Sequence, residues 1–254
     1  PWYHNNCIQR LKGESHMKHT TFGFIYIFMI IAIFLSGCLL CFHLSSSKIS
    51  DSENITVACI GDSITFGSGV FKTRQKDAWP SLLEHRFGKN ATVLNYGIRG
   101  ATLQKEGNRP YKDYVDLDSV MNEKPDLFLV MLGTNDSKPI NWNKDRYARQ
   151  LEELIEKLNR GDWKHQIVLL APPKAFPNPK TGAILASIDN TVIKNEIHPI
   201  VKSTAKKYHL LCIDLYEATK THPEYYTDGV HPNKKGNRAI ARFIYAKISE
   251  YNGW

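Results

Sequence analysis

Short runs of uninterrupted apolar residues alternate with helical stripes through most of the chain. The runs at residues 55–60, 92–96, 126–132, 166–171 and 210–215 are short and rich in Val, Ile and Leu. Continuous rather than alternating apolar runs of this length predict β-strands buried on both faces. Between them, apolar residues recur at helical spacing: Tyr147, Leu151, Leu154, Ile155 and Leu158, then Ile193, Ile197, Ile200 and Val201, then Ile240, Phe243, Ile244 and Ile248. Each stripe is the core-facing side of an amphipathic helix. Pro199 falls inside the second stripe and is expected to kink or break it. Strand–helix alternation over about 200 residues predicts an α/β fold, a three-layer α/β/α sandwich around a central, mostly parallel five-stranded sheet. In such sheets ligands bind at the carboxyl ends of the strands, so the chemistry is expected there.

The first part of the chain has a different pattern. From Thr21 to Leu44 there is no Asp, Glu, Lys or Arg, and residues 24–35 are almost wholly apolar. A helix of about 20 such residues spans a bilayer. A soluble core helix would show a polar face, and this segment shows none. Residues 17–44 are therefore expected to form an N-terminal hydrophobic helix, either a signal peptide or a transmembrane anchor. Met17-Lys18-His19 resembles the short positive start of an export signal. Lys12-Gly13-Glu14 can be encoded by AAAGGAGAA, which contains a bacterial ribosome-binding sequence, so residues 1–16 are expected to be translated upstream sequence or disordered. Leu35-Ser36-Gly37-Cys38 resembles a lipobox, although the apolar run continues past it. An uncleaved anchor, a lipoprotein and simple secretion all remain open. Basic residues flank the run only on its N-terminal side, which places the following domain outside the cytoplasm. Residues 45–54 read as a Ser-rich tether, and residues 55–254 as the folded domain.

Composition narrows the class only slightly. The 254 residues are 42% hydrophobic, 11% aromatic and 23% charged, which is ordinary for a globular protein and excludes collagen, coiled coil or a disulfide-rich miniprotein. The formal charge of +8 is spread along the chain, without the basic stripe interleaved with aromatics that nucleic-acid binding requires. The five cysteines match no metal-ligand spacing. No His-Glu-x-x-His occurs either, so no metal site is expected.

Four short motifs lie just after strand candidates or before the last helix. The first strand runs into Gly61-Asp62-Ser63-Ile64-Thr65-Phe66-Gly67, where a tight turn can lift the Ser63 hydroxyl above the sheet edge. The second ends in Asn95-Tyr96-Gly97-Ile98-Arg99-Gly100-Ala101-Thr102, whose glycines permit a backbone N–H to approach a ligand oxygen closely. The third ends in Gly133-Thr134-Asn135-Asp136, where Asn135 can add a side-chain donor. Each of these is also ordinary turn chemistry when taken alone. Ahead of the last helix stands Asp228-Gly229-Val230-His231-Pro232. A catalytic His needs a carboxylate to fix its tautomer, and Asp228 can serve His231 within one loop. His222, before Pro223-Glu224, is read as a surface turn.

Taken together and in this order, the four motifs resemble the SGNH (GDSL) hydrolase superfamily, GDSL-like lipases and acylhydrolases with a flavodoxin-like sheet. The resemblance spans roughly residues 55–252. It implies Ser63 as nucleophile, His231 as general base and Asp228 as its orienting acid. It also implies an oxyanion hole of the Ser63 N–H, the Gly100 N–H and the Asn135 side chain. Gly97 is the alternative glycine, but Gly100 closes the Asn-x-x-x-x-Gly-x-Thr pattern. The stretch from Gly133 to Trp142 is similar to the sialate O-acetylesterase-like or carbohydrate acetylesterase-like branch. This implies a serine esterase acting on O-acetyl esters of a small molecule or glycan, with no cofactor. A lysophospholipase, short-chain lipase or thioesterase of the same superfamily is the alternative. Trp142 and Tyr111 are candidates to stack on a sugar ring, with core or rim packing as their other reading. The oligomeric state is left open.

Overall fold

The computed structural model describes residues 54–178 and 180–252. The expected hydrophobic helix at 17–44 and nearly all of the tether lie outside the described residues. Among the described residues no helix is long and apolar enough to cross a membrane.

Five strands form one sheet: β1 (Ile55–Gly61), β2 (Ala91–Gly97), β3 (Leu127–Met131), β4 (Gln166–Ala171) and β5 (Leu211–Asp214). All four pairings are parallel and the order is β2-β1-β3-β4-β5. The five predicted runs coincide with these strands to within one residue at most ends. At the last of them Leu215 leaves the strand, because the Asp214 carboxylate accepts the Glu217 N–H and caps a short helix, Leu215–Thr219.

Alternate strand residues point to opposite faces, and each face is covered. Ala58, Ile60, Phe128, Val130, Ile167 and Leu169 belong to one apolar cluster, with Tyr147, Leu151, Leu154, Ile155, Ile193 and Ile197 packed in it from the helices. Val57, Cys59, Leu127, Leu129, Val168 and Leu170 belong to the other, with Trp79, Leu83, Ile240, Ile244 and Ile248. These side chains come from the helices α1 (Trp79–Phe87), α2 (Lys144–Leu158) and α4 (Lys234–Asn252) and from a π turn, Ile193–Ile197, that leads into α3 (His198–Lys207). At about 1.5–3 kcal/mol for each fully buried Leu, Ile or Val, packing on the sheet outweighs the intrinsic propensity of any one helix.

Pro199 does not break its helix. A widened π turn, Ile193–Ile197, immediately precedes it, and His198 N–H bonds back to the Ile193 carbonyl. The wider turn accommodates a proline that lacks the N–H for a regular i to i−4 bond. Helix α1 carries no long apolar stripe and was not apparent in the pattern; Trp79, Pro80 and Leu83 bury it.

The strand order changes direction at β1 and β3, since β2 lies to one side of β1 and β3, β4 and β5 to the other. Loops leaving adjacent parallel strands in opposite directions open a crevice at their carboxyl ends. Three of the four sequence motifs start at that edge.

Candidate active site

Strand β1 ends at Gly61, where a Cβ would stand 2.1 Å from Thr65 Oγ1 and 2.9 Å from the Met131 carbonyl. Only glycine lets the chain turn so tightly against β3. Asp62 then caps the one-turn helix Ser63–Phe66, its carboxylate accepting the Ile64 N–H at 2.9 Å. This cap holds Ser63 at the first helical position with a small part of its surface open, 6%.

His231 meets Ser63 from the far end of the chain. Its Nε2 lies 2.9 Å from Ser63 Oγ, and its Nδ1 lies 2.7 Å from Asp228 Oδ2. With the ring proton on Nδ1 donated to Asp228, Nε2 is free to accept the Ser63 hydroxyl proton. The other Asp228 oxygen accepts the backbone N–H of Val230 at 3.0 Å and of His231 at 2.8 Å. Burial by itself would raise the Asp228 carboxyl. The His231 ring and these two amides outweigh it and draw the group down to about 2.

Tertiary contacts hold this loop in place. Gly229 has φ +88, and a Cβ there would lie 2.2 Å from the Phe176 carbonyl oxygen. Phe176 N–H in turn donates to the Gly229 carbonyl at 2.8 Å. Asn237 of α4 accepts the Trp79 N–H and donates to the Pro232 carbonyl, tying the start of α1 to the residue after His231.

The two candidate glycines after the second strand differ in geometry. The Gly97 N–H donates to Asn95 Oδ1 at 3.0 Å, and a Cβ on Gly97 would stand 2.2 Å from Phe66 N. Gly97 is a close-packing residue whose amide is already engaged. Gly100 has φ +77, a backbone conformation that favours glycine. Asn95 Nδ2 also bonds the Thr65 carbonyl at 2.9 Å, binding the Asn95–Thr102 segment to the serine turn.

Asn135 is nearly buried, and its Nδ2 donates to the Ala101 carbonyl at 3.1 Å while standing 3.5 Å from Asp62 Oδ2. Ser63, Gly100 and Asn135 are thus linked through neighbouring residues: Asp62 beside Ser63, and Ala101 beside Gly100. Asn141 Nδ2 donates to the Asn135 carbonyl at 2.8 Å and fixes its backbone.

Two groups that the sequence did not single out stand behind these residues. Asp62 and Asp136 are both fully buried. Burial pushes Asp62 up to about 6 despite the Ile64 amide it accepts. It does the same to Asp136, also to about 6, against the Gln104 and Leu103 amides. Those amides bond the two Asp136 oxygens at 2.8 and 3.0 Å, so Asp136 pins the segment that follows Gly100. Lys138, half-buried, is lowered by burial and drawn up by both carboxylates. The available signal was an acid in the turn after an apolar strand, one residue past β1 for Asp62 and five past β3 for Asp136.

The two candidate sugar platforms differ in burial. Tyr111 is 3% exposed, its ring is in the apolar cluster, and its hydroxyl donates to the Tyr96 carbonyl at 2.7 Å. It packs in the core and borders the cavity beside Leu103, which fits the packing reading of that residue. Trp142 is partly buried against the same cluster, tilted on Tyr147 with ring centroids 5.5 Å apart. His222 pairs with Glu224 on the surface at 3.0 Å and stacks on Tyr225. Among the described residues no group of three or more His, Cys, Asp or Glu is placed to hold a metal ion.

Comparison with known proteins follows the same outline. Residues 59–239 match the model of the GDSL-like Lipase/Acylhydrolase family. The chain is 34% identical over 224 residues to an acetylxylan esterase from Xylanibacter ruminicola, a match covering 81% of this chain and 45% of that protein. The chain therefore spans about half the length of that curated relative. A carbohydrate acetylesterase family member from Sinorhizobium meliloti superposes with a TM-score of 0.64 at 24% identity, over 79% of this chain and 100% of that one. An aryl esterase from M. smegmatis does so with a TM-score of 0.63 at 19% identity, over 77% and 99%. At these identities the two structures speak to the fold.

Proposed function

The chain belongs to the GDSL-like lipase/acylhydrolase family, enzymes that hydrolyse carboxylic esters, and we propose that this protein is a serine esterase removing O-acetyl groups from carbohydrates. The observation that carries the reading is the continuous relay from Asp228 through His231 to Ser63, with contacts of 2.7 and 2.9 Å.

In this mechanism Ser63 Oγ attacks the ester carbonyl carbon while its proton passes to His231 Nε2. Asp228, held ionised to about pH 2, stabilises the imidazolium that forms. The carbonyl oxygen becomes an oxyanion and takes hydrogen bonds from the Ser63 and Gly100 amides and from Asn135 Nδ2. Each such donor is worth about 3–4 kcal/mol of barrier. Collapse expels the alcohol, which takes its proton from His231 and leaves an acyl-serine. Water, deprotonated by His231, then attacks the acyl carbon and releases the acid and free Ser63.

The acetyl-carbohydrate specificity is supported by the acetylxylan esterase relative. A chain-length profile of the full chain on aryl esters tests it, with Ser63→Ala as control. Turnover that is greatest on acetate, falls steeply by butyrate and disappears in the control is the expected result. Preference for octanoate or longer would overturn the carbohydrate reading in favour of a lipid substrate.

A further inference from the structure

Two cationic side chains flank Gly100, and the proposed mechanism uses neither. Arg99 precedes it, and its guanidinium carbon lies 5.7 Å from the centre of the Phe71 ring. Arg109 crosses it from the other side: a Cβ on Gly100 would stand 3.3 Å from Arg109 Cδ. The Arg109 guanidinium carbon lies 4.3 Å above the Tyr114 ring. Both arginines are exposed, as are Phe71 and Tyr114. Among the described residues neither arginine makes an ion pair with a carboxylate.

The cations nearby behave differently. A cavity of about 540 Å³ lies beside this segment, lined in part by Leu103, Lys105, Lys112 and Lys157. Each of those lysines is paired, with Glu153, Asp113 and Asp118 respectively. Arg74, also over an aromatic ring, donates to the Phe66 carbonyl and serves the serine turn. Arg99 and Arg109 rest on aromatic rings alone, with no carboxylate partner among the described residues.

Their supports are tied to the reacting groups. Gly69, in the segment Ser68–Thr73 that carries Phe71, packs so closely that a Cβ would stand 2.2 Å from the Pro232 carbonyl and 2.9 Å from that of His231. Thr102 N–H bonds the Arg109 carbonyl at 2.9 Å. Asn108 N–H bonds Asn141 Oδ1 at 2.8 Å, and Asn141 holds the Asn135 carbonyl. One arginine is therefore steadied by the histidine side of the site and the other by the Asn135 side. A guanidinium stacked on a ring keeps its edge donors free for the two oxygens of a carboxylate.

We propose that Arg99 and Arg109 bind a carboxylate on the sugar that carries the ester or on its neighbour, so that the substrate is an O-acetylated acidic glycan rather than a neutral one. The inference rests on the esterase reading above. Two exposed guanidiniums act through direct pairing and through attraction that salt weakens.

The test compares acetate release by the full-length protein from acetylated polygalacturonate and from the same polymer with its carboxyls methyl-esterified. The wild type is expected to favour the free acid at least fivefold in kcat/KM at low salt, with the preference shrinking as NaCl is added. In the Arg99→Ala/Arg109→Ala double variant the ratio of the two rates is expected to fall to near one. Arg109→Lys is expected to keep part of it, since a lysine retains the charge without the fork. Equal wild-type rates on the two polymers, with aryl acetate still hydrolysed and Ser63→Ala inactive, would overturn the inference and leave the esterase reading standing. A preference that survives in the double variant would also overturn it. Faster release from an anionic lysophospholipid than from either polymer would assign the arginines to a phosphate headgroup and overturn the glycan. Absence of hydrolysis of every ester by folded protein would instead overturn the esterase reading itself.

Discussion

The two sides of the candidate site are built in opposite ways, and Asp228 and Asp136 show the contrast. Asp228 is half-buried and bonds residues two and three positions along its own loop, which hold it at about 2. Asp136 is fully buried and bonds amides 32 and 33 positions away, and burial raises it to about 6. The first is kept charged beside a ring that must carry a proton in the proposed reaction. The second anchors the chain that follows Gly100. One side chain thus serves proton transfer or loop placement according to how much water and how many local donors surround it.

Substitutions probe each side in turn. On the proton-transfer side, His231→Ala is expected to lower kcat about 10⁶-fold, and Asp228→Asn about 10⁴-fold, because an oriented imidazole survives in part. Equal losses in the two, measured on aryl acetate, would mean that Asp228 does more than orient the ring. On the oxyanion side, Asn135→Ala is expected to cost about 10²- to 10³-fold in kcat with KM little changed. A rise in KM at constant kcat would place Asn135 in ground-state binding instead.

Asp136→Asn replaces one acceptor oxygen by a donor facing a backbone N–H. Leaving a buried amide unpaired costs about 1–3 kcal/mol, read as a lower denaturation midpoint, and kcat is expected to fall while KM holds. The pH dependence separates this carboxyl from Asp228. The folded-state value of Asp136 is raised from 3.8 to about 6, so the folded chain holds that proton more tightly than the unfolded one does. Stability from this group therefore falls as pH rises from about 4 to about 6. Asp228 is lowered from 3.8 to about 2, and its contribution is lost as pH falls through that lower range. The midpoint of Asp136→Asn relative to wild type should improve between pH 4 and pH 6; a flat difference would mean that Asp136 is not buried as described. The smallest effect is expected at Tyr111→Phe, which removes the bond to the Tyr96 carbonyl and should cost about 1 kcal/mol of stability. A selective loss of activity on glycan esters there, with stability intact, would return Tyr111 to the substrate.

Much of this fold was legible as periodicity. Strands buried on both faces leave uninterrupted apolar runs, and helices covering a sheet leave stripes, so β1 to β5 and the helices at Tyr147, Ile200 and Ile240 appear in the pattern itself. Helix α1 did not appear, because nine residues with three buried side chains make too short a stripe. The effect of Pro199 was half legible: its missing N–H was evident, whereas the π turn that accommodates it depends on Ile193 and Ile197 being held in the core. In the site, the Asp228 to His231 spacing was readable because both residues share one loop.

What the order of amino acids determined alone was the local chemistry: strand and helix patterns, a serine after β1, an acid three residues before a histidine, glycines where the chain must turn. Only the tertiary structure decided which of these meet. It brought His231 Nε2 to 2.9 Å from Ser63 Oγ across 168 residues, engaged the Gly97 amide with Asn95, buried Tyr111 and buried Asp62 and Asp136. Burial and long-range hydrogen bonds depend on the packing of five strands and the helices over them, and neighbouring residues in the chain carry no record of it.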